Sequence, residues 1–148
     1  MADVDELFEA LDAAVAKLPA SQKLVTAADW RRCPVMESAA AEQVRKRIAA
    51  YNSRTERSAA LASLGSPTAV LQFMRLIRES GLQDRKMFFN AEEQIEWLKE
   101  VLTPAETQRL REFLAEGGQV GSSPDSVVGD ATRHAAVAAR GVSGSGRR

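Results

Sequence analysis

The chain is poor in the residues that usually carry chemistry: one cysteine, one histidine and one tyrosine in 148 residues. A lone Cys33 excludes an intramolecular disulfide, so stability must come from a packed core, which a chain of this length can build. The lone His134 falls in a Gly- and Ser-rich stretch rather than on a rigid element. No Ser/His/Asp or Cys/His nucleophilic set, and no His/Cys metal site, is therefore expected. Lysine plus arginine number 20 and aspartate plus glutamate 20, so no net charge draws the chain to nucleic acid or to an anionic membrane. There is no apolar run long enough to span a bilayer and no leader-like start, and a reducing, cytoplasmic setting is the expectation.

With 45% apolar and 27% charged residues, the composition fits one globular domain. In "VDELFEALDAAVAKL" the apolar residues Val4, Leu7, Phe8, Leu11, Val15 and Leu18 recur at helical spacing, and Pro19 stops the run. The short apolar stretch from Leu24 to Trp30 reads as a buried strand. A helix follows in "VMESAAAEQVRKRIAAYNSR", with Ala40, Val44, Ile48 and Tyr51 on one stripe and an end near Asn52. "RSAALAS" is a second strand. In "LGSPTAVLQFMRLIRESG" Ser66 reads as N-cap, Pro67 as first helical residue, Val70, Phe73, Met74 and Ile77 as the buried stripe, and Gly81 as the stop.

"RKMFF" is the third strand candidate. Asn90 and Glu93 form a capping-box pattern before the helix carrying Trp97, and Thr103 and Glu106 repeat it before the helix carrying Leu110, Phe113 and Leu114. From residue 117 to 148 the composition turns to Gly and Ser with few large apolar residues, which reads as a disordered tail in which "DATRHAAVAAR" is at most a transient helix. Strands alternating with helices over residues 1–116 give an α/β fold with a small, mostly parallel sheet and an extra C-terminal helix.

The remaining chemical candidates have plain structural explanations. "LGSPT" lacks the lysine and glycine spacing of a phosphate loop. Arg75, Arg78, Arg85 and Lys86 suggest one solvated positive face rather than a nucleic-acid site. Trp30 and Trp97 read as anchors at or near the core, and Cys33 as a small half-buried side chain.

The stretch "DWRRCPVMESAAAEQV" is similar to the signature of the STAS domain, the fold of anti-sigma factor antagonists: a strand ending in aspartate, a short loop, then Met-Asp-Ser-Ser-Gly opening a helix. Asp29 matches the strand-ending aspartate, and Met36, Glu37 and Ser38 match the Met-Asp-Ser run. The likeness continues through "AALASLGSPTAVLQFMRLIRESGLQDRKMFFNAEEQIEWL" and covers roughly Leu7 to Leu102. The related SpoIIAA-like group, described together with SEC14 lipid-binding domains, resembles the "FFNAEEQIEWL" ending as well. Two departures stand out: the first helix starts almost at Met1 without the usual leading strand, and the motif's aspartate and glycine are Glu37 and Ala40 here.

The resemblance implies a non-enzymatic regulatory protein–protein interaction module without cofactor or metal. Ser38 becomes the phosphorylation candidate. Arg31, Arg32, Met36, Glu37, Ser38, Gly65, Ser66 and Thr68 become the partner-binding surface, facing a kinase or sigma-pathway protein. The missing leading strand makes the chain a shortened member of the family, or leaves an open sheet edge covered by a partner or by a second copy in a homodimer. The alternative is a SEC14-like carrier of a lipid or nucleotide, with a pocket lined by Phe73, Met74, Phe88 and Phe89.

Overall fold

A computed structural model describes residues 2–119 and 135–139. In chain order the elements are α1 (Ala2–Ala16), β1 (Leu24–Asp29), α2 (Ser38–Ala50), β2 (Thr55–Leu61), α3 (Pro67–Glu79), β3 (Arg85–Phe88), α4 (Ala91–Lys99), α5 (Pro104–Gln119) and β4 (Ala135–Ala139). The sheet order is β3-β2-β1-β4. β1, β2 and β3 are parallel, as the alternation of strands and helices implies, and β4 runs antiparallel on the outer edge of β1.

The parallel strands are rich in alanine, and this sets the spacing of the layers. Ala27, Ala59, Ala60 and Ala62 are buried, so helices close down on both faces of the sheet without large side chains holding them off. On one face Val25, Ala27, Ala59 and Leu61 pack against Ile95 and Leu98 of α4, Val101, and Leu110 and Leu114 of α5. On the other, Phe8, Val44 and Leu76 join α1, α2 and α3, and Ala62, Ala69 and Phe73 form a second cluster with Trp30, Cys33 and Met36 at its margin. The chain is thus a three-layer α/β/α structure. The Trp30 ring lies 5.0 Å from that of Phe73 in a tilted pair, and Trp97 lies 5.5 Å from Phe88, so both tryptophans are the near-core anchors expected of them.

Local signals were realised at two helix starts. Asn90 Oδ1 accepts the main-chain N–H groups of Glu92 at 2.8 Å and Glu93 at 3.3 Å. Thr103 and Glu106 form the full reciprocal box, the Thr103 N–H donating to Glu106 Oε2 at 2.7 Å and the Glu106 N–H to Thr103 Oγ1 at 3.3 Å. Gly81, at φ 80°, closes α3 in the left-handed conformation a side chain would resist.

Several expectations are corrected. Ser66 makes no side-chain cap at α3; Ser63 Oγ instead accepts from the Gly65 N–H in the turn before it. The buried stripe of α3 is Ala69, Val70, Phe73 and Leu76, while Met74 is exposed. Arg85 does not share a positive face with Arg75 and Arg78. It is buried beneath the C-terminal ends of α2 and α3, donating to Ile48 O at 3.1 Å, Asn52 Oδ1 at 3.0 Å and Ser80 Oγ at 2.6 Å. Burial pushes its guanidinium down to about 10, still charged at neutral pH, and the negative ends of two helix dipoles supply what a carboxylate would.

Residues 117–119 and 135–139 of the expected tail form regular secondary structure. α5 continues through Gly117 and Gly118 to Gln119, and Ala135–Ala139 form β4 rather than a transient helix. The edge of β1 is therefore covered by the chain itself. Residues 120–134 and 140–148 of the expected tail lie outside the described residues.

Candidate functional site

The carboxyl ends of β1, β2 and β3 open onto three loops, which is where open α/β sheets place their sites. The first loop begins at Asp29, which is buried although it ends a strand. Arg31 curls back onto it as a fork, Nε to Oδ1 at 2.9 Å and Nη2 to Oδ2 at 2.5 Å, and the Arg31 N–H adds a third bond to Oδ1 at 3.1 Å. The hydrogen bond to Asp29 and its charge hold the Arg31 guanidinium above its ordinary value, although partial burial opposes them. Arg31 Nη2 also donates to Leu114 O at 2.6 Å, so the pair anchors α5 to the sheet. Arg31 is thus committed inside the protein, whereas the next residue, Arg32, is exposed.

Further along the loop, Gln72 of α3 clamps the main chain of Met36. The Met36 N–H donates to Gln72 Oε1 at 2.8 Å and Gln72 Nε2 donates to Met36 O at 2.7 Å. A primary amide matched to both polar groups of one residue acts like a short piece of sheet. This interaction was not foreseen, since residues 36 and 72 carry no local signal. Its effect is to fix the approach to α2 against the flank of α3.

Beyond the clamp, Glu37 is the N-cap of α2 but makes no side-chain cap, and Ser38 is the first helical residue; both are exposed. Gly65, Ser66 and Thr68 are exposed at the turn into α3. The structure brings Arg32, Glu37, Ser38, Gly65, Ser66 and Thr68 to the same end of the sheet. It turns the Met36 side chain inward, between the clusters of Phe8 and Phe73.

What sequence reasoning missed is the apolar character of this end. Val35, Leu64, Leu71, Met74 and Phe89 are large hydrophobic residues between 44% and 69% exposed. Val35, Leu64 and Phe89 lie in the loops after β1, β2 and β3 respectively. Val35 and Leu71 each adjoin a member of the Met36–Gln72 clamp, and Leu71 and Met74 share a helical face at i, i+3 spacing. Large apolar side chains exposed on three loops at one end of a sheet are candidates for an interaction surface.

The pocket expected of a lipid or nucleotide carrier is not assembled from the residues proposed for it. Phe73 is buried in the α3 layer, Phe88 packs against the cluster on the opposite face, and Met74 and Phe89 are exposed. Among the described residues no group of three or more His, Cys, Asp or Glu side chains is placed to hold a metal ion. No helix among them is long and apolar enough to cross a membrane. Comparison with known proteins returns no matching family model, no matching curated protein and no matching solved structure.

Proposed function

We propose that this protein is a non-enzymatic interaction module, a STAS-like α/β domain that docks a regulatory protein partner on the carboxyl end of its sheet. The observation that carries this reading is the exposure of Val35, Leu64 and Phe89 in the three loops at that end of the sheet, and of Leu71 in the second turn of α3. Such a surface loses hydration on docking, and each side chain, already partly buried, contributes a fraction of the roughly 1.5–3 kcal/mol of full burial, so these residues act as anchors within a larger contact. Ser38 stands exposed at the start of α2, where no side chain caps the free N–H groups. A phosphate added there is stabilised by the helix dipole and places a dianion beside the apolar surface, which switches docking off.

The test is a pull-down from native extract with three full-length baits: wild type, Leu64→Glu combined with Leu71→Glu, and Ser38→Asp. The captured protein is then purified and its affinity measured against each bait, with circular dichroism confirming that all three are folded. Binding lost in the double variant and weakened at least several-fold in Ser38→Asp supports the module and its switch. Equal binding by all three sinks both.

A further inference from the structure

β4 differs from the other described strands in direction and in how it is attached. It pairs antiparallel with β1, Ala135 opposite Ala28 and Ala139 opposite Leu24. Residues 120–134 separate it from α5. Antiparallel neighbours are usually locked by loops of about two to five residues that also fix register, and β4 has no such lock to β1. Its sequence is Ala-Ala-Val-Ala-Ala, and alanine is depleted in strands because it offers little cross-strand packing. The pairing is therefore carried mainly by main-chain hydrogen bonds, which any identical strand supplies equally well.

The strand beneath it has the opposite character. Leu24, Val25, Ala27 and Asp29 of β1 are buried, so without β4 an apolar strand presents a row of unpaired N–H and C=O groups. Its pull on an extended segment is strong, while its present occupant is weakly specified.

We propose that β4 is an exchangeable strand and that the outer edge of β1 also accepts Ala135–Ala139 of a second copy, giving a reciprocal, two-fold strand-swapped dimer. The occupant is a second copy because this is the segment whose register on the edge is observed, Thr26 opposite Val137 at its centre. Every pairing made within one chain is remade between two, so exchange gives up no hydrogen bonds and concentration decides the balance. This inference stands independently of the docking surface at the carboxyl end of the sheet.

Cross-linking between full-length chains tests it, in a Cys33→Ala background that removes the native thiol. One chain carries Thr26→Cys and the other Val137→Cys; directly opposed positions on antiparallel strands lie within disulfide reach. A chain carrying Gln83→Cys, at an exposed site just before β3 and separated from β1 by β2, replaces the first in the control mixture. A single chain bearing both Thr26→Cys and Val137→Cys reports the intramolecular pairing at low concentration. The expected result is a covalent heterodimer several-fold above the control, rising with protein concentration, together with an intramolecular link in the dilute double variant. An intramolecular link without heterodimer above control shows that β4 stays with its own chain and overturns the proposal. The absence of both links overturns it by removing β4 from this edge.

Discussion

Gly117 passes so close to Asp29 that there is room for hydrogen but not for carbon. A Cβ built at position 117 falls inside the van der Waals envelope of Asp29 Oδ2 and 2.9 Å from Arg31 Nη2. Glycine within a helix costs roughly 1 kcal/mol relative to alanine, so its presence here needs the reason that the contact supplies.

Gly117→Ala is therefore expected to destabilise the protein. Asp29 is short, buried and held by three bonds from Arg31, so it cannot yield, and an overpacking cost of about 1–3 kcal/mol exceeds the gain in helix propensity of about 1 kcal/mol. Gly118→Ala is the control. Its Cβ meets Arg31 Nη1 at 3.2 Å, the far end of a long side chain, and this variant should be neutral or slightly stabilising. Urea unfolding of the two variants side by side checks the contrast; equal midpoints would show that α5 does not seat on the Asp29–Arg31 pair.

Breaking that pair from the other side should be costlier. Asp29→Ala leaves the Arg31 guanidinium against Leu114 O with no carboxylate, and the loss should reach the order of 2–4 kcal/mol, below the full range for a buried pair because the Arg31 side chain keeps 26% of its exposure. Asp29→Ala combined with Arg31→Met removes the stranded charge and should recover part of that loss in a double-mutant cycle, which reads the coupling directly. Additive losses would show that the two residues act separately.

Gln94 is fully buried on α4, and neither its Oε1 nor its Nε2 has a hydrogen-bond partner among the described residues. Its neighbours in sequence, Ile95 and Leu98, belong to the apolar cluster under α5. A buried amide without partners costs on the order of 1–3 kcal/mol, and Gln94→Met keeps the length while removing both polar atoms. The variant should raise the thermal midpoint. A lowered midpoint would mean that the amide holds a bound water or ligand in solution.

The contrast between Asn90 and Arg85 explains which features were legible in the sequence. The helix starts at Asn90 and Thr103, the stop at Gly81 and the alternation of three strands with helices follow from residues a few positions apart, where local hydrogen bonding and side-chain period decide the outcome. Arg85 finds its partners at Ile48, Asn52 and Ser80, and Gln72 finds its partner at Met36, so nothing near either residue announces the contact. Gly117 and Gly118 read as the start of a tail because the composition turns to Gly and Ser there, yet α5 continues through them against the distant Asp29–Arg31 pair. Alanine in Ala135–Ala139 favours a helix by propensity, and the open edge of β1 outweighs that preference. The residues at the carboxyl end of the sheet were located by pattern, but the exposure of Val35, Leu64, Leu71 and Phe89 depends on which faces the helices bury.

Alkaline pH provides a test of the core around Cys33, which packs at the margin of the Ala62, Ala69 and Phe73 cluster. Burial pushes its thiol up to about 11 from an ordinary 9.0. Below pH 9 the thiol is neutral in both folded and unfolded chains and adds no slope. As pH rises from 9 towards 11 the unfolded chain gives up the proton first, so the folded state binds more protons and stability falls. Tyr51 adds a later decline of the same sign, because burial and its hydrogen bond to Asp12 raise its phenol from 10.0 to about 12. Cys33→Ala removes the first decline and leaves the second. Urea midpoints should therefore drop between pH 9 and pH 10 in the wild type and stay flatter in the variant over that interval. The thiolate is the reacting form, so the folded protein should also resist thiol reagents at mildly alkaline pH and react freely once unfolded. Rapid labelling of the folded chain under those conditions would show that Cys33 is open to solvent and that the loop after β1 is not packed as described.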